Sequence, residues 1–311
     1  MTISRKKNIS NKSNFDVSIL ILVRNEEGNI KKCLSQVFNQ RTNFRYEVIV
    51  VDSGSTDQTV EICKTFPVKL VCIQPDKFSH SGTRNLAARL SKGKYLVYLA
   101  GDAIPCNERW LDYLINSLTE DDRVAAVYGR QIPKADLSPN HKFRLNWLYG
   151  QKRLVKDYEQ RHKLPNFYFF STVNCAIKKF LWNKLMFNEN LRIFEDMEFA
   201  SRVMRLGYLI VYEPNAKVFH GHNIGVLETL KRYFVIGTTL SYLGISDELK
   251  KSFGGEGIAY TVKEIYYLLT NGYIYFIPYS ILHDLAKSIG LFLGMKKNLL
   301  PRDLNRYILS E

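Results

Sequence analysis

Polar side chains that could bind a ligand follow three apolar segments of the chain. Residues 24–26 (RNE) follow the apolar run 17–23, Asp52 begins the polar run 52–57 (DSGSTD), and Asp102 follows a third apolar segment. Carboxylates accept hydrogen bonds from N–H and O–H groups, and they also bind divalent cations. One acidic residue after a buried strand is often only a helix cap. Three polar clusters at one edge of a parallel sheet instead favour a ligand site, because ligands bind such sheets at the carboxyl ends of the strands.

The apolar segments predict the sheet that would position these side chains. The predicted strands span residues 17–23, 46–51, 68–73, 95–100 and 124–128. Helical patterns lie between them, for example at 30–38, 86–90 and 110–118. Ser55 and Gln58 have the spacing of a capping box, which predicts that a helix begins there. This alternation predicts an α/β fold with a doubly wound, mostly parallel sheet.

The C-terminal stretch 260–293 is largely helical and apolar. Within it, residues 273–293 are long enough to raise the question of a membrane span. His283, Asp284 and Lys287 interrupt this segment, and a charge near a bilayer centre costs about 2.5–3.5 kcal/mol. We therefore expect an interfacial or protein-packed helix rather than a span.

The composition restricts the compartment and the partners. The chain has 311 residues and a net charge of +14, which fits either a polyanionic partner or solubility alone. Its five cysteines are scattered without a Cys-x-x-Cys pair, which predicts neither a zinc site nor a disulfide framework and favours a reducing, cytosolic compartment. We expect residues 1–15 to form a flexible basic tail, because they are rich in Lys, Asn and Ser and show no apolar period. A signal peptide is not expected there, because no apolar stretch directly follows the basic residues.

Two functions, dinucleotide binding and nucleic-acid binding, fit the sequence poorly. Asp52 lies where the ribose-binding acid of a dinucleotide-binding enzyme could be, but the first turn, residues 24–28 (RNEEG), lacks Gly-x-Gly-x-x-Gly. That turn also has two acidic residues, Glu26 and Glu27, where a pyrophosphate would need backbone N–H groups without negative charge beside them. Nucleic-acid binding is disfavoured because the basic residues are dispersed and no recognition motif is present.

Six motifs, taken in order, resemble family 2 glycosyltransferases of the GT-A fold. They are ILVRNEE, VVDSGSTDQT, FSHSGTRNLA, LAGDAIP, FEDMEFASRV and VFHGHN. The resemblance extends over about residues 17–237. The segments 78–85 (FSHSGTRN), 220–223 (HGHN) and 231–234 (KRYF) look most like the rhamnosyltransferase branch.

The resemblance also implies a domain organisation. A GT-A domain would cover residues 16–237, with a donor half at about 16–128 and an acceptor half at about 129–237. Residues 238–311 would form a helical C-terminal region that could associate with a membrane. The aromatic and basic segment 129–165 is expected to shape the acceptor side.

The resemblance implies that several motifs together form the site for a nucleotide-sugar donor. Asp52 would bind the base or ribose, and Arg24 and Glu26 would border the same pocket. Arg84 lies near a helix start, where its guanidinium and the helix dipole could both face a diphosphate. The predicted donor-binding residues are Arg24, Glu26, Asp52, Ser55, His80, Arg84 and Asp102.

Asp102 corresponds to the metal-binding acid of the family. The usual motif is Asp-x-Asp, whereas this chain has Gly101-Asp102-Ala103-Ile104 and supplies one carboxylate. One carboxylate can suffice for Mg²⁺ or Mn²⁺ when phosphate and water oxygens complete the coordination. His220 and His222 are expected to contribute, and imidazole ligands would favour Mn²⁺ over Mg²⁺.

Glu195 and Asp196 would supply the catalytic base. In an inverting transfer the acceptor hydroxyl attacks the anomeric carbon, and a carboxylate accepts its proton. Asp196 matches the family's base position, Glu195 precedes it, and Glu198 is a lesser candidate. Acids at a helix start also stabilise the helix through its dipole, so both roles can coexist.

The implied reaction moves a sugar, L-rhamnose from dTDP-rhamnose, onto a glycan or lipid-linked acceptor of a cell-surface polysaccharide. The basic, amphipathic C-terminal region indicates the lipid link and a peripheral position at the inner membrane face. One alternative is a UDP- or GDP-sugar donor. Another is a non-catalytic sugar- or nucleotide-binding protein on this scaffold, which the missing second acid would fit. The sequence leaves the oligomeric state open.

Overall fold

The computed structural model describes residues 15–161, 167–242 and 257–297. Within them, nine strands form one sheet in the order β3-β2-β1-β4-β8-β6-β9-β5, and β7 also pairs with β9. The strands are β1 (Val17–Val23), β2 (Tyr46–Asp52), β3 (Lys69–Cys72), β4 (Tyr95–Ala100), β5 (Ile104–Pro105), β6 (Val124–Pro133), β7 (Leu154–Lys156), β8 (Asn174–Lys178) and β9 (Leu209–His220). Strands β1–β4 pair in parallel, as do β6 and β9, whereas β8 is antiparallel to β4 and β6 on either side of it. The expectation of an α/β fold with a mostly parallel sheet is confirmed.

Ten helices connect or follow these strands in the described residues. They are α1 (Ile30–Phe38), α2 (Thr59–Lys64), α3 (His80–Leu90), α4 (Trp110–Thr119), α5 (Pro139–Leu148), α6 (Lys179–Leu185), α7 (Glu195–Arg205), α8 (Val226–Tyr242), α9 (Gly257–Thr270) and α10 (Ile277–Met295).

Apolar side chains on both faces of the sheet explain why the strands read as continuous apolar runs. Along β1, Ile19 and Ile21 face the layer that contains α1 and α4, while Leu20 faces the layer that contains α3, α6 and α7. Successive strand side chains point to opposite faces, so a strand covered on both sides needs apolar residues at every position.

The predicted capping box at Ser55 and Gln58 is wrong. Helix α2 begins at Thr59, and Gln58 precedes it without a side-chain cap. The hydroxyl of Ser55 is instead bonded to Asp52 and to the backbone of Asn25, so it joins two loops and does not cap a helix. Asp57 takes the local capping role, since its Oδ1 accepts a hydrogen bond from the N–H of Thr59 at 3.0 Å.

The C-terminal helices pack closely against the rest of the chain. A Cβ added at Gly290 or Gly294 of α10 would collide with the backbone of α8, so glycine allows the two helix backbones to approach each other. The predicted domain boundary at residue 237 falls within α8. Within the described residues, no helix is both long and apolar enough to span a membrane. The predicted tail, apart from Phe15, lies outside the described residues.

Candidate active site

The loops that follow β1 and β2 are tied together, and Asp52 organises the second of them. Asp52 is buried, and its Oδ2 accepts hydrogen bonds from the N–H groups of Gly54 and Ser55 at 3.0 and 3.1 Å. Gly54 has φ +82°, a conformation that favours glycine. Ser55 Oγ donates to Asp52 Oδ1 and accepts from the N–H of Asn25 at 2.8 Å. Both carboxylate oxygens of Asp52 therefore already accept hydrogen bonds from their own loop, which fixes the loop's shape.

Asp102 is the centre of a charged cluster at the end of β4. Its carboxylate is buried, and Lys134 Nζ lies 3.3 Å from its Oδ2. His220 Nε2 lies 3.4 Å from Oδ1, and His222 Nε2 lies 3.1 Å from Oδ2. Burial by itself raises the pKa of Asp102, but the hydrogen bonds with His220 and His222 outweigh it and hold this pKa well below its usual range. The carboxylate therefore stays ionised at neutral pH.

Gln131 fixes the orientation of the His220 ring. Gln131 is buried, and its Oε1 lies 2.8 Å from His220 Nδ1. Its amide nitrogen donates to the hydroxyls of Tyr149 and Ser171. With the amide in this orientation, Nδ1 of His220 donates to Gln131, and Nε2 faces Asp102. A histidine held in this way is typical of metal ligands.

Asp102, His220 and His222 could hold a metal ion. Their ligand atoms lie within 4.8 Å of one another. One carboxylate with two imidazoles suits Mn²⁺ better than Mg²⁺, and phosphate or water oxygens could complete the coordination. Because Lys134 contacts the same carboxylate, a bound cation would compete with its ammonium group. The donor set fits a divalent metal, as the sequence predicts.

Glu26 approaches this cluster from the loop after β1. Its Oε2 accepts a hydrogen bond from Asn29 Nδ2 at 2.9 Å, and Lys134 Nζ donates to Asn29 Oδ1 at 3.4 Å. Burial raises the pKa of Glu26, Asn29 opposes that shift, and the negative charge of Asp102 adds to it. Glu26 and Asp102 therefore lie at one edge of the sheet, as predicted, while the side chain of Arg24 is exposed.

Arg84 and Glu195 form a buried ion pair at the junction of α3 and α7. Arg84 Nη1 lies 2.6 Å from Glu195 Oε1 and also donates to the carbonyl of His80 at 3.0 Å. Glu195 is buried, and the Arg84 side chain is mostly so. The guanidinium of Arg84, which was expected to face a diphosphate, therefore already makes part of its hydrogen bonds to protein groups.

Asp196 lies at the start of α7 beside this pair. Its Oδ1 accepts from the N–H of Met197 at 2.8 Å, and its Oδ2 is 3.4 Å from the N–H of Thr172. Burial raises the pKa of Asp196 to about 7, the negative charge of Glu195 adds to this, and Arg84 opposes it. A carboxylate that titrates near neutral pH can accept a proton and later release it, which is what general base catalysis requires.

The residue before α7 has an unusual backbone. Phe194 has φ +72° and ψ +12°, the left-handed region that a bulky residue adopts only at a cost. This turn sets the direction in which α7 starts, and so it aims Glu195 and Asp196. Backbone strain of this kind clusters at functional sites.

A cavity of about 2040 Å³ brings most of the predicted site residues together. Those that line it are His80, Arg84, Asp102, Glu195, Asp196, His220 and His222. Four others do not line it, namely Arg24, Glu26, Asp52 and Ser55. The base candidate and the metal candidate therefore face one space, while the predicted nucleotide-binding loops lie beside it.

Several polar residues of the site are absent from the sequence prediction. Lys134 directly follows β6. The candidates from the sequence are the polar residues directly after each predicted strand, and Lys134 would be one of them if this strand were predicted to end at Pro133 instead of Tyr128. Gln131 lies within that strand, where nothing in the sequence distinguishes it from a structural residue. Arg144 and Arg232 also line the cavity, and only tertiary packing brings α5 and α8 together there.

Two curated relatives are similar over nearly the whole chain. The O-antigen chain rhamnosyltransferase WbaN of Salmonella anatum is 34% identical over 87% of this chain and 86% of the relative. The O-antigen chain rhamnosyltransferase RfbN of Salmonella typhimurium is 31% identical over 93% of this chain and 92% of the relative.

Solved structures share the fold. The mannosyltransferase PcManGT of Pyrobaculum calidifontis, in complex with GDP-Man and Mn²⁺, has a TM-score of 0.62 at 18% identity and covers 95% of this chain and 90% of its own. Staphylococcus aureus TarS 1–349 has a TM-score of 0.55 at 14% identity, over 91% and 92%. These likenesses confirm the GT-A-type architecture.

The model of glycosyl transferase family 2 matches residues 18–185, more than half of the chain. This match and the similarity to the two rhamnosyltransferases agree with the motifs at the strand ends. The chain is a glycosyltransferase that belongs to family 2, near the rhamnosyltransferase branch.

Proposed function

We propose that this enzyme transfers L-rhamnose from dTDP-rhamnose, with inversion, onto a lipid-linked glycan during synthesis of a surface polysaccharide of the O-antigen kind. The similarity to two O-antigen chain rhamnosyltransferases over at least 87% of the chain supports the sugar and the pathway class. The observation that carries the chemistry is that Asp196 and the Asp102 cluster line one cavity.

In the proposed reaction, Asp196 accepts the proton of the acceptor hydroxyl. The acceptor oxygen forms a bond to the anomeric carbon, and the bond from that carbon to the nucleoside diphosphate breaks. The raised pKa of Asp196 supports this role, because the ionised form is a better proton acceptor than an ordinary carboxylate. The charges of Glu195 and Arg84 act on the pKa of this carboxylate in opposite directions.

The residues proposed to face the donor divide into three groups. Asp52, Ser55 and Arg24 would hold the nucleoside, and Asp102, His220 and His222 would hold a divalent metal at the diphosphate. Such a metal supplies Lewis-acid stabilisation of the charge that develops on the leaving group. Glu26 and His80 would border the donor, and Arg84 would face the diphosphate.

A donor screen tests the function. Released nucleoside diphosphate is measured with dTDP-rhamnose, UDP-sugars and GDP-sugars, each with and without EDTA. We expect turnover with dTDP-rhamnose, and its loss in EDTA with recovery on added Mn²⁺. Preference for a UDP- or GDP-sugar would contradict the donor assignment and leave the family assignment intact. No turnover with any donor and acceptor would favour a non-catalytic binding protein.

We also propose that the enzyme works in the cytoplasm, at the inner face of the membrane. Large apolar side chains are exposed on and between α9 and α10, among them Ile258, Val262, Tyr266, Ile274, Tyr275, Leu282 and Phe292. Such a surface is typical of proteins that contact a lipid interface. Flotation with anionic vesicles tests this, and Tyr275→Ser should reduce binding whereas Phe180→Ser, exposed on α6, should not. Absence of the wild-type protein from the vesicle fraction would contradict the proposal.

A further inference from the structure

Among the described residues, three arginines that line the cavity have no carboxylate partner: Arg144, Arg232 and Arg192, the last of which precedes α7. Arg144 comes from α5 and Arg232 from α8, and both line the cavity that Asp196 also lines. Among residues 15–161, 167–242 and 257–297, the ion pairs involve other basic residues and include none of these three arginines. This differs from Arg84, which is paired with Glu195 at 2.6 Å.

The guanidinium groups of Arg144 and Arg232 are close enough to affect each other. The Arg232 residue keeps an exposed surface, but desolvation by the surrounding protein lowers its pKa, and the positive charge of Arg144 is the next largest cause. Glu228 and Asp196 act on Arg232 in the opposite direction but more weakly. The pair therefore creates an excess of positive charge inside a concave part of the protein, where charges interact more strongly than at an open surface.

An anion with several oxygens would neutralise this charge. A guanidinium group presents donors in a planar fork that matches phosphate oxygens, and two such groups can bind one phosphate or diphosphate. The helices that carry the pair are anchored, because α5 buries Phe143 and Leu145 on either side of Arg144, and α8 buries Phe234 beside Arg232. The positions of the arginines thus follow from the packing of their helices.

A second side of the cavity is apolar and open to solvent. Ile258 and Val262 of α9 and Leu285 and Phe292 of α10 line it, and their exposed fractions are 81%, 60%, 51% and 59%. A ligand that has both an anionic group and a long apolar chain would match both sides. A free nucleotide would match the arginines and leave the apolar side chains in water.

We infer that Arg144 and Arg232 bind the phosphate or diphosphate group of a lipid-linked acceptor, with the apolar side of the cavity holding the first part of the lipid chain. This inference rests on the proposed function, since it names how the acceptor is held. The donor diphosphate would lie elsewhere, at Asp102 and the strand ends. Binding of the acceptor at its anionic group would bring the sugar that it carries toward Asp196.

Calorimetric titration of the full-length protein with farnesyl diphosphate, farnesol and inorganic pyrophosphate tests the inference. We expect farnesyl diphosphate to bind at least about ten-fold more tightly than either of the other two, because each lacks one of the matching parts. Arg144→Gln and Arg232→Gln should each lower the affinity for farnesyl diphosphate by about ten-fold or more, since each removes charge-assisted hydrogen bonds. Arg205→Gln, at the exposed end of α7, is the matched control and should bind as the wild type does.

The outcomes separate the inference from the proposed function. Equal binding of farnesyl diphosphate by the wild type and both Gln variants would overturn the inference. Competition between farnesyl diphosphate and dTDP for one site would also overturn it, because the arginines would then serve the donor. Titration with dTDP alone tests the donor site: if dTDP does not bind while farnesyl diphosphate still depends on Arg144 and Arg232, the proposed function fails and the lipid phosphate site stands. Arg232→Lys, which keeps the positive charge, should bind farnesyl diphosphate more tightly than Arg232→Gln does. That result would show that the loss of affinity in Arg232→Gln comes from the lost charge and not from misfolding.

Discussion

Arg84 Nη1 lies 2.6 Å from Glu195 Oε1, although 110 residues separate them in the chain. This ion pair lies next to Asp196, and its two charges act on the pKa of Asp196 in opposite directions. Burial mainly raises the pKa of the proposed base, and the pair adjusts it further, in addition to joining α3 to α7.

Removing either member of this pair should move the pH profile, in opposite directions. Loss of the negative charge in Glu195→Gln removes a cause that raises the pKa of Asp196, so the acid limb of kcat/KM should move to lower pH. Loss of the positive charge in Arg84→Gln should move it to higher pH. The measurement is kcat/KM from pH 5 to 9. Glu61→Gln, on the surface helix α2, is the control. Shifts of both variants in the same direction would contradict this account.

The same ion pair should contribute to stability. Arg84→Gln leaves the buried carboxylate of Glu195 without its partner, and breaking a buried pair from one side is typically destabilising by about 3 kcal/mol. Chemical denaturation with urea measures the change. The double variant Arg84→Gln with Glu195→Gln should be less destabilised than Arg84→Gln alone, because no unpaired charge remains. A double variant as unstable as the sum of the two single variants would exclude coupling between them.

Asp196→Asn should remove the carboxylate that accepts the proton while leaving the donor site intact. We expect kcat to fall by about 10²–10⁴-fold, the usual contribution of general base catalysis, with dTDP affinity unchanged. In the wild type, kcat/KM should rise with pH through about 7 and level off above it, where Asp196 is ionised, and the variant should lose this dependence. Glu198→Gln, two residues later in α7, is the matched control, because Glu198 is bound to Arg202 at 2.6 Å. Wild-type turnover by Asp196→Asn would refute the assignment of the base.

The sequence predicts those parts of the site that follow directly from a strand end or a family motif. Asp102 follows an uninterrupted apolar run, and Asp196 belongs to a motif, so both could be named in advance. Lys134 and Gln131 could not, because β6 continues through Gly129, Arg130 and Gln131 and no longer reads as an apolar strand. The pairing of Arg84 with Glu195, and the meeting of α5 with α8, depend on tertiary packing that no local pattern specifies.

Gln131→Leu should weaken metal binding without removing a ligand. Gln131 accepts a hydrogen bond from His220 Nδ1, and loss of such a partner typically costs about 10–100-fold in metal affinity. Titration with Mn²⁺ followed by electron paramagnetic resonance measures the affinity directly. Gln151→Leu, at an exposed position, should leave it unchanged. Equal Mn²⁺ affinity of Gln131→Leu and the wild type would show that His220 needs no such support, or is not a ligand.

Gly294→Ala should force α8 and α10 apart. A Cβ at residue 294 would collide with the carbonyl group of Phe234 in α8, and neither helix backbone can move without disturbing its neighbours. Overpacking of this kind costs about 1–3 kcal/mol, which urea denaturation would measure. Because Arg232 lies in α8 two residues before Phe234, the shift should also weaken binding of farnesyl diphosphate. Gly150→Ala is the matched control, since a Cβ there meets no atom within 4 Å. If Gly294→Ala lowers stability but leaves farnesyl diphosphate affinity unchanged, the packing of α10 does not position Arg232, and the arginine pair is held by α5 and the body of α8 alone.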